Sequence, residues 1–143
     1  MKRGSQLTLK INNIKFPSTG ISECEGKKIY VKGAFPGQTV KATVKKNREG
    51  YAEAKLVEVI ERAEYEIEPP CPHFGVCGGC SSQNLTYEKQ LELLSDEICE
   101  LFEEKDLPMG MYLGVKGSEN CWEYRNKMEF TFGDLEKGGE LTL

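Results

Sequence analysis

Long apolar runs and internal repeats are both missing from this sequence. No stretch of the 143 residues approaches the length that crosses a bilayer, and Met1-Lys2-Arg3 leads into a polar, alternating segment rather than a secretory leader. Neither membrane insertion nor export is expected, so we predict a cytoplasmic protein with no membrane partner. With 38% hydrophobic residues and no low-complexity segment, the chain can form a globular core. One ordinary domain or two small ones would account for its length.

Acidic residues are scarce at the start of the chain and abundant in the rest. Residues 1–60 hold 12 Lys or Arg against 5 Asp or Glu, and residues 61–143 hold 7 against 18, so the net charges are +7 and −11. A basic block on a small β module is typical of a surface that binds a polyanion. Solvated surface lysines are the alternative explanation. The acidic block argues against the remainder of the chain wrapping nucleic acid.

Period-two patterns predict half-buried strands in the basic region. Apolar and polar residues alternate at residues 7–11, 40–44 and 52–56, with turn signals rich in Gly, Pro and Asn between them. Short antiparallel strands with frequent turns favour a small closed barrel, because closure removes exposed sheet edges. Four basic residues on or just after one outer strand are our predicted phosphate contacts: Lys41, Lys45, Lys46 and Arg48.

Consecutive prolines, Pro69-Pro70, predict a boundary after the barrel, because they disfavour both helix and sheet ladder. Apolar residues then recur at helical spacing from about residue 86 to residue 105. Thr86 is suited to cap the N-terminus of this helix. Packing of one face against a core is a sufficient explanation of the apolar stripe.

A final hairpin is predicted after Trp122. Alternation at residues 128–132, a turn at residues 134–139 and apolar residues at 141 and 143 suggest two paired strands. Because the chain stops on the second arm, which would leave an unfinished sheet, we expect it to be the front portion of a longer protein.

Three cysteines in one Gly-rich run, Cys71, Cys77 and Cys80, are candidates for a metal centre. Thiolates at this spacing can converge on one soft metal, because the glycines let the backbone fold round it. Zinc would take His73 as its fourth ligand, so a Cys3His site needs nothing from elsewhere in the chain.

Other chemistries remain open for the same run. An iron–sulfur cluster takes four thiolates, so its fourth ligand would be Cys99, Cys121 or a residue outside this chain. The Cys77-Gly-Gly-Cys80 pair alone could be a redox motif, although the βαβ pattern that accompanies such motifs is missing. A loop without metal is the last alternative.

The cysteine run together with its surroundings resembles a known family. The motifs Cys71-x5-Cys77-Gly78-Gly79-Cys80, Gln83 and Tyr124-Arg125-Asn126-Lys127, with the start of the helix at residues 85–91, look like the N-terminal part of the bacterial RNA 5-methyluridine methyltransferases. Many members of that family begin with a TRAM domain, an OB-like barrel that binds RNA, which is similar to the basic β region. The resemblance implies a partner that is ribosomal or transfer RNA rather than DNA.

The resemblance also implies a division of the chain and a cofactor. We expect a mainly β fold with α: a TRAM-like OB-like antiparallel barrel at residues 1–66, an iron–sulfur loop at 67–84 and the start of a central α+β domain at 85–143. The family's 4Fe-4S cluster has three ligands that match Cys71, Cys77 and Cys80. Its fourth ligand lies downstream of the Tyr-Arg-Asn-Lys motif and matches nothing here, so Cys121, which precedes that motif, is not assigned. Zinc is the alternative metal.

Catalysis in this family requires a cysteine nucleophile and an α/β domain that binds S-adenosylmethionine through a Gly-rich loop. No motif in this chain resembles either, so we predict no catalytic residue here. The expected function is the RNA-binding and iron–sulfur portion of such an enzyme, inactive without its C-terminal methyltransferase domain. A stand-alone RNA-binding module with a structural zinc or iron–sulfur site is the alternative.

Further RNA contacts are expected from aromatic and basic residues. Tyr30, Phe35 or Tyr51 would stack an unpaired base, as in OB-like platforms, or would fill the barrel core instead. Arg125 and Lys127 would meet the target RNA, unless they form ion pairs with the acidic residues beside them.

Overall fold

The computed structural model describes residues 1–15, 18–76, 79–124, 127, 132–134 and 138–142. Six strands come first, followed by a helix, a 3-10 turn at Met109–Met111 and two short strands. Their bounds are β1 (Gln6–Lys10), β2 (Asn13–Lys15), β3 (Thr19–Cys24), β4 (Lys27–Lys32), β5 (Thr39–Asn47), β6 (Tyr51–Glu61), α1 (Tyr87–Glu104), β7 (Gly133–Asp134) and β8 (Leu141–Thr142).

The first six strands form one sheet in the order β1-β5-β6-β4-β3-β2. Its two outer strands, β1 and β2, are consecutive pieces of one segment that bends at Ile11 and Asn12. The Ile11 N–H donates to the Gln38 carbonyl beside β5, and the Asn12 N–H donates to the Ile21 carbonyl of β3. This segment therefore joins both ends of the sheet and curls it into a small OB-like barrel.

The mainly β fold class is confirmed, with one change of detail. All neighbouring strands run antiparallel except β4 and β6, which pair in parallel with Tyr30 opposite Glu53. Side-chain alternation reports only which face a residue occupies, so it does not distinguish parallel from antiparallel pairing.

The inward residues of the barrel form a compact core of small and β-branched side chains. Its fully buried members include Ile29, Val31, Val40 and Val44. Gly20 of β3 also faces inward, where an added Cβ would lie 2.8 Å from the Ala34 carbonyl oxygen. The core thus has no room for a larger residue at that position.

A second apolar cluster attaches α1 to the barrel. Phe35 and Ile14 of the barrel pack with Leu85, which precedes the helix, and with the half-buried Leu93 on it. The helix begins as predicted, since the Thr86 hydroxyl accepts a hydrogen bond from the Lys89 N–H at 3.4 Å. Because Leu85 directly follows the segment that carries the cysteines, the C-terminal end of that segment is packed against the barrel.

The final predicted hairpin is partly described. Gly133 pairs with Thr142 and Asp134 with Leu141, so two antiparallel strands form a hairpin at this end of the chain, as predicted. The bounds differ from the prediction: Asp134, expected in the turn, is paired, and Phe132, expected in the first strand, lies outside it. The predicted strand residues at 128–131 and 143 lie outside the described residues. Across the part of the chain that is described, no helix combines the length and apolarity of a membrane crossing.

Candidate nucleic-acid interface and cysteine loop

A groove with a volume of about 890 Å³ lies on the outer face of the barrel, across β2, β3, β4, β6 and the end of β5. We call it the barrel groove. It carries four lysines and two tyrosines with a single carboxylate. The residues that line it are Lys15, Thr19, Tyr30, Lys32, Lys45, Tyr51, Glu53, Ala54, Lys55 and Leu56.

Three of the lysines form a row that crosses the strands. Lys15 is opposite Thr19, Thr19 is opposite Lys32, and Lys32 is opposite Lys55. With strands about 4.8 Å apart, the row extends roughly 14 Å around the barrel. Lys32 and Lys55 face each other directly on neighbouring strands, where like charges are unfavourable, so the placement of this pair suits a bound anion better than a purely structural role.

Among the described residues, no ion pair balances the charge of this row or of Lys45. Within the described ranges, no carboxylate oxygen lies within 4.0 Å of the ammonium nitrogen of Lys15, Lys32, Lys45 or Lys55. Glu53, the one acidic residue of the groove, is instead engaged by Lys46 at 2.8 Å. The groove therefore presents a net positive surface.

Two aromatic rings lie next to the lysine row. Tyr30 and Tyr51 contact each other edge to face, with ring centroids 6.0 Å apart and an interplanar angle of 74°. Tyr30 precedes Lys32 by two residues on β4, so the ring and the ammonium group share one face of the sheet. A base that stacks on an exposed ring can thus place its phosphate near a lysine.

The four basic residues that were predicted to contact phosphate lie in different surroundings. Lys45 lines the barrel groove, whereas Lys46 is paired with Glu53 at its edge. Lys41 is half-buried on β5, opposite Glu58 and outside the groove. Arg48 lies in the exposed turn after β5, where its backbone carbonyl accepts a hydrogen bond from a lysine ammonium. The prediction for these residues as RNA contacts stays a prediction.

The burial of the three aromatic side chains shows which of them remain accessible for base stacking. Phe35 is only 2% exposed and belongs to the apolar cluster under α1, so of its two predicted roles the core role is confirmed and base stacking is not. Tyr51 is 39% exposed and Tyr30 is half-buried, which leaves both rings accessible in the groove. Arg125 lies outside the described residues, and Lys127 is exposed.

The base of the cysteine loop, residues 68–83, is held shut by backbone pairing. The Ile67 N–H donates to the Asn84 carbonyl at 2.8 Å, and Glu66 and Leu85 form a β-bridge. The Glu66 carboxylate accepts hydrogen bonds from Gln38 of the barrel at 2.8 Å and from the Asn84 side chain at 3.2 Å. The two ends of the loop are therefore fixed to each other and to the barrel.

Inside the loop, one side chain contacts two of the cysteines. The Cys71 N–H donates to Gln83 Oε1 at 3.2 Å, and Gln83 Nε2 donates to Cys80 Sγ at 3.0 Å. Cys71 is half-buried and Cys80 is exposed. Cys77 lies outside the described residues, so the geometry of the complete trio is not described.

The loop has no core of its own: none of its described residues is buried, and Val76 is 87% exposed. The described residues contain no group of three or more His, Cys, Asp or Glu that would hold a metal. His73 is exposed in the loop, Cys99 is half-buried and Cys121 is exposed. A loop of this length without buried apolar residues needs some other constraint to stay folded.

Comparison with known proteins finds a family model that matches the barrel and several similar proteins. Residues 1–57 match the family model of the TRAM domain. An uncharacterized RNA methyltransferase of Clostridium tetani is 50% identical over all 143 residues, which is 31% of its own length. The 23S rRNA (uracil(1939)-C(5))-methyltransferase RlmD of Alkalilimnicola ehrlichii is 38% identical over 93% of this chain and 30% of its own length. The chain thus spans about a third of these relatives.

The first 57 residues are therefore similar to TRAM domains, and the chain is similar to proteins named RNA methyltransferases. Sequence patterns had missed three groove lysines, Lys15, Lys32 and Lys55. The short alternation through β4, where Lys28, Tyr30 and Lys32 flank buried residues, was the available signal for one of them.

Proposed function

We propose that this chain is the RNA-binding and iron–sulfur part of an enzyme that methylates C5 of a uridine in ribosomal RNA with S-adenosylmethionine as methyl donor. The observation that carries the proposal is the row of Lys15, Lys32 and Lys55 beside the Tyr30–Tyr51 pair on a TRAM barrel. The relatives named RNA methyltransferases supply the reaction, and the name of the RlmD relative supplies the ribosomal substrate.

The groove has the two components of a surface for single-stranded RNA. Unpaired lysines attract phosphates whatever the sequence, and accessible aromatic rings stack bases that a duplex would keep hidden. Since stacking requires an unpaired base, we expect a loop or other single-stranded segment as the ligand. The groove thus supplies binding and orientation of the RNA.

Binding of a fluorescently labelled, uridine-containing single-stranded RNA tests this role. By anisotropy, Lys32→Glu with Lys55→Glu should weaken binding strongly, because two positive charges at the centre of the groove become negative. Lys2→Glu with Lys10→Glu is a matched control, with the same change in net charge on exposed residues of the barrel outside the groove. Equal losses in both variants, or none in either, would contradict RNA binding in the groove.

For the cysteine loop we propose that Cys71, Cys77 and Cys80 are three ligands of a 4Fe-4S cluster. Three soft thiol donors suit this cluster. The Gln83 side chain also connects two of the three cysteines, because it accepts the Cys71 N–H and donates to Cys80 Sγ. A cluster would also provide the constraint that a loop without buried residues requires. The cluster would act as a structural staple at this position.

Metal analysis separates the cluster from zinc. Protein purified without oxygen should contain iron and acid-labile sulfide, and Cys71→Ser should reduce both. Stoichiometric zinc without sulfide would reject the cluster and favour the alternative, an RNA-binding module with a structural zinc site.

The nucleotide product tests the reaction. Deletion of the gene should remove 5-methyluridine from ribosomal RNA in the producing organism, as measured by mass spectrometry of digested RNA. Loss from transfer RNA alone would overturn the ribosomal substrate, and unchanged levels in both RNAs would overturn the methyltransferase role. We place the reaction in the cytoplasm, where thiols remain reduced.

A further inference from the structure

Gln83 joins two cysteines that are nine residues apart in sequence. Its side-chain oxygen accepts the Cys71 N–H at 3.2 Å, and its side-chain nitrogen donates to Cys80 Sγ at 3.0 Å. The amide therefore lies between the backbone of one proposed ligand and the sulfur of another.

The orientation of this amide follows from its partners. A backbone N–H can only donate, so the Gln83 oxygen must face Cys71. The NH2 group is then directed at Cys80 Sγ, the atom that would bind the metal. The contact thus places a hydrogen-bond donor directly against a proposed ligand sulfur.

Closure of the loop does not depend on Gln83. The base is held by the Ile67–Asn84 hydrogen bond, the Glu66–Leu85 bridge and the contacts of the Glu66 carboxylate. The hydrogen bonds of Gln83 act further along the loop, at the cysteines themselves. A purely architectural role would not require a donor to sulfur.

We infer that Gln83 is a positioning residue of the metal centre: it fixes the backbone of Cys71 and holds Cys80 Sγ in place through an N–H···S hydrogen bond. This inference rests on the proposed centre at Cys71, Cys77 and Cys80. Hydrogen bonds to ligand sulfurs help set the reduction potential of iron–sulfur clusters, and partners of ligands orient them. Since reduction adds negative charge, this donor should stabilise the reduced cluster and raise its potential.

Two substitutions separate the contacts of the amide. Gln83→Leu removes both hydrogen bonds. Gln83→Glu keeps an acceptor for the Cys71 N–H but replaces the donor to Cys80 with a carboxylate. Gln6→Leu is the matched control, because Gln6 is an exposed residue on β1 of the barrel.

The variants are made in the complete proposed enzyme, so that the fourth ligand expected downstream of this chain is present. They are reconstituted without oxygen with Fe²⁺ and sulfide, and their iron and sulfide contents are measured. Iron release to a chelator should be about 10-fold faster in Gln83→Leu, in line with losses of partners to metal ligands. The reduction potential should fall in both Gln83 variants, and further in Gln83→Glu because its carboxylate opposes added negative charge. Gln6→Leu should match the wild type in both measurements.

The outcomes distinguish this inference from the centre on which it rests. If the wild type loads iron and sulfide but both Gln83 variants keep its release rate and potential, the role of Gln83 is overturned while the cluster stands. If the wild type takes up neither, and Cys71→Ser is indistinguishable from it, the proposed cluster fails together with the inference.

Discussion

Removing two of the four unpaired groove lysines should change how RNA binding responds to salt. The variant Lys32→Gln with Lys55→Gln deletes two adjacent charges of the row without introducing negative ones. Neither ammonium has a carboxylate partner among the described residues, so no ion pair within the protein should be broken. The change in salt dependence then comes from the smaller number of counterions that binding releases from the RNA.

The size of the effect follows from the number of phosphate contacts. Each contact to single-stranded nucleic acid contributes a slope of about −0.7 to the dependence of log K on log salt. Four groove lysines predict a slope of about −2.8, and the two that remain in the variant predict about −1.4. Raising salt from about 50 to about 200 mM should then weaken binding about 50-fold in the wild type but only about 7-fold in the variant.

Anisotropy titrations with one single-stranded RNA at several salt concentrations measure both slopes. Lys46→Gln is the control: it removes one charge from a lysine that is already paired with Glu53 at 2.8 Å, so its slope should stay near that of the wild type. Parallel lines for the wild type and the double variant would refute the assignment of Lys32 and Lys55 to phosphate contacts. A loss of about 0.7 from the slope with Lys46→Gln, the same per lysine as in the double variant, would refute the distinction between paired and unpaired lysines.

Three further predictions concern the rings and the barrel. Tyr51→Ala should weaken RNA binding by about 1–3 kcal/mol through lost stacking, whereas Tyr51→Phe should bind nearly as the wild type does. Gly20→Ala should lower the free energy of unfolding in urea by about 1–3 kcal/mol, because its Cβ would lie 2.8 Å from the Ala34 carbonyl oxygen; Gly110→Ala, which meets nothing within 4 Å, should not. Partial burial, with nearby carboxylates, raises the pKa of Tyr65 to about 12. The stability that the neutral Tyr65 contributes is therefore complete below about pH 10 and should be lost as the pH rises toward 12. Tyr65→Phe should lack this part of the decline in the free energy of unfolding.

Parts of the barrel were predictable from sequence, and the exceptions have a local cause. Strands β1, β5 and β6 alternate apolar and polar residues over several positions, so their faces are evident. Strand β3 was not predicted, because its two buried residues, Gly20 and Ser22, are small and give no apolar alternation. Helix α1 was found to within a residue or two, since its stripe is long and Thr86 caps it.

The candidate sites were less predictable, because they depend on pairs of distant residues. The TRAM and methyltransferase resemblance is confirmed at the level of the TRAM domain and of the named relatives. The cysteine ligands stay a prediction. The role inferred for Gln83 depends on a contact with Cys71 across the loop, which sequence spacing does not reveal.

The sequence by itself determined the strands and helix with clear periodicity, the division into a basic and an acidic part, and the run that brings three cysteines into one loop. Tertiary structure decided which lysines act together: Lys15, Lys32 and Lys55 become neighbours only through strand pairing, while Lys46 is neutralised by Glu53 on another strand. The physical reason is that periodicity fixes the face of a residue within its own strand. Pairing between strands, which is non-local, fixes the charges that surround it.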